Sequence, residues 1–179
     1  MKLLQRELSG KISTQDTESP LLQRVFSARG IDSVDELSTE LKDLHPISQL
    51  KGIHKAVSVL VEALEANENI VIIGDFDADG ATATTVAVKS LGMMGFANVH
   101  YLVPNRFEYG YGLTPEIVIE AQQYKPHLII TVDNGIPSIE GVEKAKAYNC
   151  RVIITDHHLP GHQLPNADAI INPNQPDDN

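Results

Sequence analysis

Seven side chains able to bind a metal ion fall in three short groups of this sequence: Asp75, Asp77 and Asp79 in GDFDADG, Asp133 in TVDNG, and Asp156, His157 and His158 in ITDHHLPG. Each group directly follows a run rich in β-branched residues, IVIIG at 70–74, HLIITV at 127–132 and RVIIT at 151–155. Such runs are the mark of strands buried on both faces. If the three lie in one sheet, five carboxylates and two imidazoles meet on one rim. Carboxylates crowded together resist ionising, and hard divalent cations held by oxygen and imidazole ligands reverse that penalty. The ligand number points to two ions rather than one. Two such ions acidify a shared water and clamp the non-bridging oxygens of a phosphate during in-line attack, so that no side-chain nucleophile is required. The sequence offers no Ser/His/Asp arrangement to supply one.

Taken singly, each group has an ordinary reading. An aspartate after a strand is commonly a helix N-cap, and a His-His pair is commonly a surface loop. DxDxDG also matches the first half of an EF-hand loop, but the twelfth position is Val86 where a bidentate Glu is needed, and a strand precedes the loop. The coincidence of all three groups at strand ends favours the metal rim.

A fourth segment, after the strand-like VHYLV (99–103), contains Pro104-Asn105-Arg106 and Tyr109-Gly110-Tyr111-Gly112. Arg106 is the only arginine between Arg29 and Arg151. A forked guanidinium suits phosphate oxygens, glycines let backbone N–H groups approach a phosphate, and tyrosines can stack on bases. Packing tyrosines and a solvated arginine are the plain alternative.

The elements that must position these groups alternate. The spacing predicts a helix over 81–94, one from Thr114-Pro115 to Lys125, one capped by Ser138 and ending at Asn149, and a last strand at 169–171. Strand and helix taking turns in this way define an α/β fold with a parallel doubly wound sheet, whose ligands sit beyond the carboxyl ends of its strands. Residues 1–19 read as a polar extended arm. Helices are expected from Pro20 to Gly30, over VDELSTEL after Ser33, and continuously from Ile47 to Ala66, where Leu50, Ile53, Val57, Leu60, Val61 and Leu64 recur at helical spacing. The expected division is an N-terminal arm and small helical segment over 1–66, followed by the α/β domain over 67–179.

GDFDADGATAT, LVPNRFEYGYGL, TVDNG and ITDHHLPG, in this order and spacing, closely resemble the DHH phosphoesterase superfamily, and within it the RecJ-type single-strand-specific DNA exonucleases. The resemblance covers 20–179. It implies two manganese or magnesium ions, with ligands from Asp75, Asp77, Asp79, Asp133 and His157, and with Asp133 bridging. It further implies that His158 touches the scissile phosphate, that Asp156 orients the histidines, and that Asn105 and Arg106 contact substrate phosphate, with Tyr109 and Gly110 beside them. The activity implied is 5′-to-3′ removal of nucleotides from single-stranded DNA, in recombination and repair, with proteins of those processes as further partners. The other readings are a phosphoesterase for pyrophosphate or short oligonucleotides, and a non-catalytic metal- or partner-binding module. Because RecJ-type proteins continue past the fourth motif with a further Asp ligand and substrate-gripping domains, the chain is expected to be the front portion of a longer exonuclease. NPNQPDDN then reads as the entry to a linker, and apolar sheet surface left open by a shortened core would favour a homodimer.

Composition sets the outer bounds. The 179 residues are 42% hydrophobic with a formal net charge of −10, enough for a folded core and wrong for a disordered chain. No apolar run is long enough for a membrane span, the N-terminus is not a secretory signal, and a single cysteine, Cys150, fits a reducing cytoplasm. A net charge of −10 would by itself repel nucleic acid. The acids concentrate in 66–179, however, 14 against six bases, and five of them are the rim aspartates that the ions would neutralise.

Overall fold

The computed structural model describes residues 7, 9–12, 19–176 and 178, with the side chain of Arg106 outside that description. Most of the expected arm therefore lies outside the described residues. The chain forms two compact units, Met1–His45 and Pro46–Asn179.

In the first unit, helix α1 (Pro20–Ser27) starts at Ser19, whose hydroxyl accepts from the Leu22 N–H at 3.4 Å, with proline in the first turn. The helix expected after Ser33 is only a 3-10 turn, Val34–Leu37. Ser33 and Glu36 form a capping box at its start. Ser38 ends it in extended conformation, its hydroxyl donating to Asp43 at 2.5 Å and accepting from the Glu40 N–H at 3.4 Å. Serine that bonds its own neighbourhood in this way diverts the backbone from a helix. A second 3-10 turn, Leu41–Asp43, follows.

The second unit is a five-stranded parallel sheet: β1 (Ile70–Ile73), β2 (Val99–Leu102), β3 (Leu128–Val132), β4 (Arg151–Thr155) and β5 (Ala169–Ile171), in spatial order β2-β1-β3-β4-β5. Its helices are α2 (Ile53–Glu65), α3 (Ala78–Met93), α4 (Arg106–Tyr109), α5 (Pro115–Ala121) and α6 (Ile139–Ala147). The central strands β1 and β3 are buried on both sides. Ile70 and Ile72 point into a core shared with Ala56, Val59 and Ala63 of α2 and Leu91 of α3. Val71 and Ile73 point to the opposite core, with Ile117 and Val118 of α5 and Val142 of α6. This two-residue alternation within an all-apolar strand accounts for the β-branched runs in the sequence. The order reverses at β1 and β3, which makes their carboxyl ends the topological switch point of the sheet.

Several elements differ from expectation for physical reasons. The predicted helix 47–66 is a 3-10 turn, Ile47–Gln49, followed by α2, and the two are separated at Gly52 (φ 86°). A Cβ on residue 52 would lie 2.1 Å from the Ile170 carbonyl oxygen, so the chain passes too close to β5 for any other residue. Since α2 packs on the sheet, the boundary between units falls at His45/Pro46 rather than near residue 66. Helix α3 starts inside the DxDADG motif, because Asp77 caps it by accepting from the Gly80 N–H at 3.2 Å. Ser138 does not cap α6. Its hydroxyl accepts from the Leu113 N–H at 3.1 Å and ties α6 to the start of α5. The expected linker entry is not loose either: Asn172 and Gln175 are buried and hydrogen-bonded back onto the sheet and its loops. No helix among the described residues is long and apolar enough to cross a membrane.

Candidate metal centre

The three acidic groups leave the carboxyl ends of β1, β3 and β4, which are adjacent in the sheet. Asp75 is buried and its Oδ1 accepts from the Phe76 N–H at 2.7 Å. Asp133 has a left-handed backbone (φ 63°), a conformation that aspartate tolerates better than most residues. Its side chain is only 8% exposed, and His157 Nε2 lies 2.9 Å from its Oδ1. Asp156 is wholly buried. Its Oδ1 accepts from the backbone N–H groups of His157 (2.7 Å) and His158 (3.1 Å) and from His158 Nδ1 (2.7 Å). Its Oδ2 accepts from the Ile136 N–H at 2.9 Å, which ties the β4 loop to the β3 loop. The carboxylate thereby assigns the His158 proton to Nδ1.

Among the described residues, two groups of three have ligand atoms all within 4.8 Å of one another: Asp75, Asp77 and Asp133, and Asp133, His157 and His158. Asp133 belongs to both. This donor set, carboxylate oxygens with imidazole nitrogens and no thiolate, fits hard to borderline divalent ions. Asp79 belongs to neither group but lines the adjoining cleft of about 570 Å³ together with Ala83 and Val86 of the same helix, α3, and with Asp133, Asp156 and His157 from the strand ends.

Burial raises the Asp133 carboxyl above the usual carboxylate range; Asp79 and Asp77 push the same way, against the His157 hydrogen bond. The hydrogen bond to Asp156 raises His158 above its ordinary value, against desolvation. Both directions are those of negative charge gathered in a partly dry place.

The loop after β2 is arranged differently from the sequence reading. Asn105 Oδ1 accepts from the Phe107 N–H at 3.1 Å and starts α4, an element not foreseen. The Arg106 side chain lies outside the described residues. Tyr109 packs against the core, and its hydroxyl donates to Glu120 at 3.2 Å. Gly110 adopts φ 79°. The tyrosine brought to the histidines is Tyr111: its hydroxyl donates to the Asp133 carbonyl at 3.2 Å and lies 3.3 Å from His158 Nδ1, ring edge to face. Sequence reasoning had Tyr111 only as one of a pair. It missed Asn134, whose Nδ2 donates to the carbonyls of Ile73 (3.0 Å) and Val132 (2.9 Å) and so joins the ends of β1 and β3. No spacing signal marks either residue.

A parallel α/β domain with a carboxylate–imidazole rim at its switch point defines a class, the metal-binding phosphoesterase-like domains. Residues 69–179 match the model described as the DHH family, N-terminal domain, and the chain belongs to the DHH family. It is 48% identical over 179 residues to the single-stranded-DNA-specific exonuclease RecJ of Escherichia coli, covering all of this chain and 31% of that protein. It is 52% identical over 155 residues to RecJ of Salmonella typhimurium, covering 87% of this chain and 27% of the relative. The chain thus spans under a third of the length of these relatives. Among solved structures, exonuclease RecJ bound to manganese superposes with a TM-score of 0.64 at 38% identity, over 72% of this chain and 33% of that one. RecJ of Thermus thermophilus in complex with Mn²⁺ gives 0.62 at 33% identity, over 83% and 20%.

Proposed function

We propose that this chain carries the two-ion catalytic centre of a 5′-to-3′ single-stranded-DNA exonuclease acting in recombination and repair. The observation that carries the reading is Asp133, common to two metal-ligating groups at the switch point of a DHH-family sheet. Asp75, Asp77 and Asp133 would hold one Mn²⁺ or Mg²⁺ and Asp133 with His157 the other, with Asp79 as a further donor from the cleft wall. When bound, the ions supply Lewis acidity toward the phosphodiester and lower the pKa of water.

The chain's own groups do the positioning. Asp156 accepts the hydrogen bond from His158 Nδ1–H and so leaves Nε2 for the substrate phosphate. Tyr111 holds the Asp133 carbonyl and limits rotation of the His158 ring. Asn105 starts the turn that carries Arg106, the residue assigned to phosphate oxygens, Gly110 allows the chain to bend there, and Tyr109 braces that turn through Glu120. Ala83 and Val86 give the nucleotide an apolar wall. A cytoplasmic setting goes with this reading, since DNA is the substrate proposed and the one cysteine, Cys150, is free.

The test is hydrolysis of a labelled single-stranded oligonucleotide by this chain with Mn²⁺, beside a duplex and inorganic pyrophosphate. Stepwise loss of nucleotides from the 5′ end of the single strand, absent in Asp133→Ala, is expected. Turnover of pyrophosphate alone would replace the exonuclease by a small-molecule phosphoesterase, and Mn²⁺ binding without hydrolysis would leave a metal-binding module.

A further inference from the structure

The histidine loop is held by side chains from beyond all the acidic motifs. Asn172 directly follows β5 and is fully buried. Its Nδ2 donates to the His158 carbonyl at 2.9 Å, and its Oδ1 accepts from the Asn174 N–H at 2.7 Å. That second bond shapes the turn from which Asn174 Nδ2 donates to the His157 carbonyl. Gln175, also buried, closes the turn with Nε2 on the carbonyls of Ile170 (3.0 Å) and Asn172 (3.2 Å). Loop 156–158 is therefore gripped from two directions. Asp156 takes N–H groups from inside it, and Asn172 and Asn174 supply N–H groups to its carbonyls from outside.

A carboxamide suits this place because it must donate to one backbone group and accept from another. An aliphatic side chain would leave the His158 carbonyl and the Asn174 N–H short of partners, and a carboxylate would turn an oxygen toward the carbonyl. The two carbonyls held are those of the residues whose imidazoles meet Asp133 and Asp156. Fixing them fixes the direction in which each imidazole leaves the backbone, and groups that orient ligands in this way control metal affinity.

We propose that Asn172, acting with Asn174, is a positioning residue for the metal centre, holding the His157 and His158 backbones through their carbonyl oxygens. This rests on the metal-centre reading above. The test measures Mn²⁺ affinity of the whole chain by electron paramagnetic resonance of the free ion, with thermal unfolding recorded alongside. The proteins compared are wild type, Asn172→Ala, Asn174→Ala and Arg151→Met. The last removes the ion pairs of Arg151 with Glu62 and Glu68 at the far end of β4 and controls for lost stability alone.

At a temperature where every variant keeps its native circular dichroism, Asn172→Ala is expected to bind Mn²⁺ about 10–100-fold more weakly. Asn174→Ala should lose less, and Arg151→Met should match wild type. Wild-type affinity in both asparagine variants, or an equal loss in Arg151→Met, overturns the proposal. If Asn172→Ala does not fold, the exposed Asn174 decides: a several-fold loss in Asn174→Ala supports the proposal and unchanged affinity overturns it. A wild-type chain that binds no Mn²⁺ overturns the metal-centre reading itself, a result distinct from any difference among variants.

Discussion

His157 Nε2 and Asp133 Oδ1 stand 2.9 Å apart, each offering to the other the atom it would offer to an ion. An ion held between them must replace that hydrogen bond and displace the proton that makes it. Since Asp133 also stands with Asp75 and Asp77, the same carboxylate is the corner of both groups, and its loss should be felt twice.

Calorimetric titration with Mn²⁺ checks this. Two ions are expected in wild type. Asp77→Ala should lose the tighter part of the isotherm or one of the two ions, while Asp133→Ala should bind neither measurably. Both metal-free variants should fold, because removing one of several crowded carboxylates relieves repulsion. An Asp133→Ala protein that still takes up two ions would exclude the shared corner.

The His158–Asp156 hydrogen bond gives a pH dependence whose sign follows from the raised imidazole. A group held above its unfolded value contributes stability that is fully present below that value, near 6.5, and is lost as pH rises through the raised one. In metal-free protein, the gap in thermal midpoint between wild type and His158→Asn should therefore be wider at about pH 6 than at about pH 9. With the imidazole 47% exposed, solvent keeps the effect small.

Asn134 is 1% exposed and donates to two strand-end carbonyls. Asn134→Ala would leave both without those bonds in a dry place, for an expected loss of about 2–4 kcal/mol. Urea denaturation measures it, and a change below about 1 kcal/mol would show that the β1 and β3 ends do not depend on the stitch.

Gly52 combines φ 86° with a Cβ position 2.1 Å from the Ile170 oxygen. Gly52→Ala should cost about 1–3 kcal/mol through backbone strain and displacement of β5. Because β5 leads into Asn172, the amide protons of 169–175 should exchange faster in that variant. Unchanged exchange there would separate the glycine from the turn.

What was legible in the sequence followed from local chemistry. β-branched runs that end in aspartate announce strands whose carboxyl ends bring acids to one rim, and Thr114-Pro115 announces a helix start that α5 shows, with Thr114 Oγ1 accepting from the Ile117 N–H. What was not legible depends on distant partners. Helical periodicity runs straight through Gly52, and only the neighbouring Ile170 carbonyl explains the break. NPNQP has the composition of a linker, yet Asn172 is buried with the His158 carbonyl within reach of its amide, and Gln175 with those of Ile170 and Asn172. Ser138 looks like a cap for the helix that follows it and instead serves Leu113, in the loop before α5.

The rim gathers side chains from the ends of three strands, and each group of three that could hold an ion joins residues from two of them. The unfolded polypeptide therefore has little with which to compete for the ions, and binding is confined to molecules whose sheet is already complete. Free divalent cation then acts as a mass-action reagent on folding itself: at about 100 times the dissociation constant a single site adds about 2.7 kcal/mol to the native state. The midpoint of unfolding should climb with the logarithm of cation concentration.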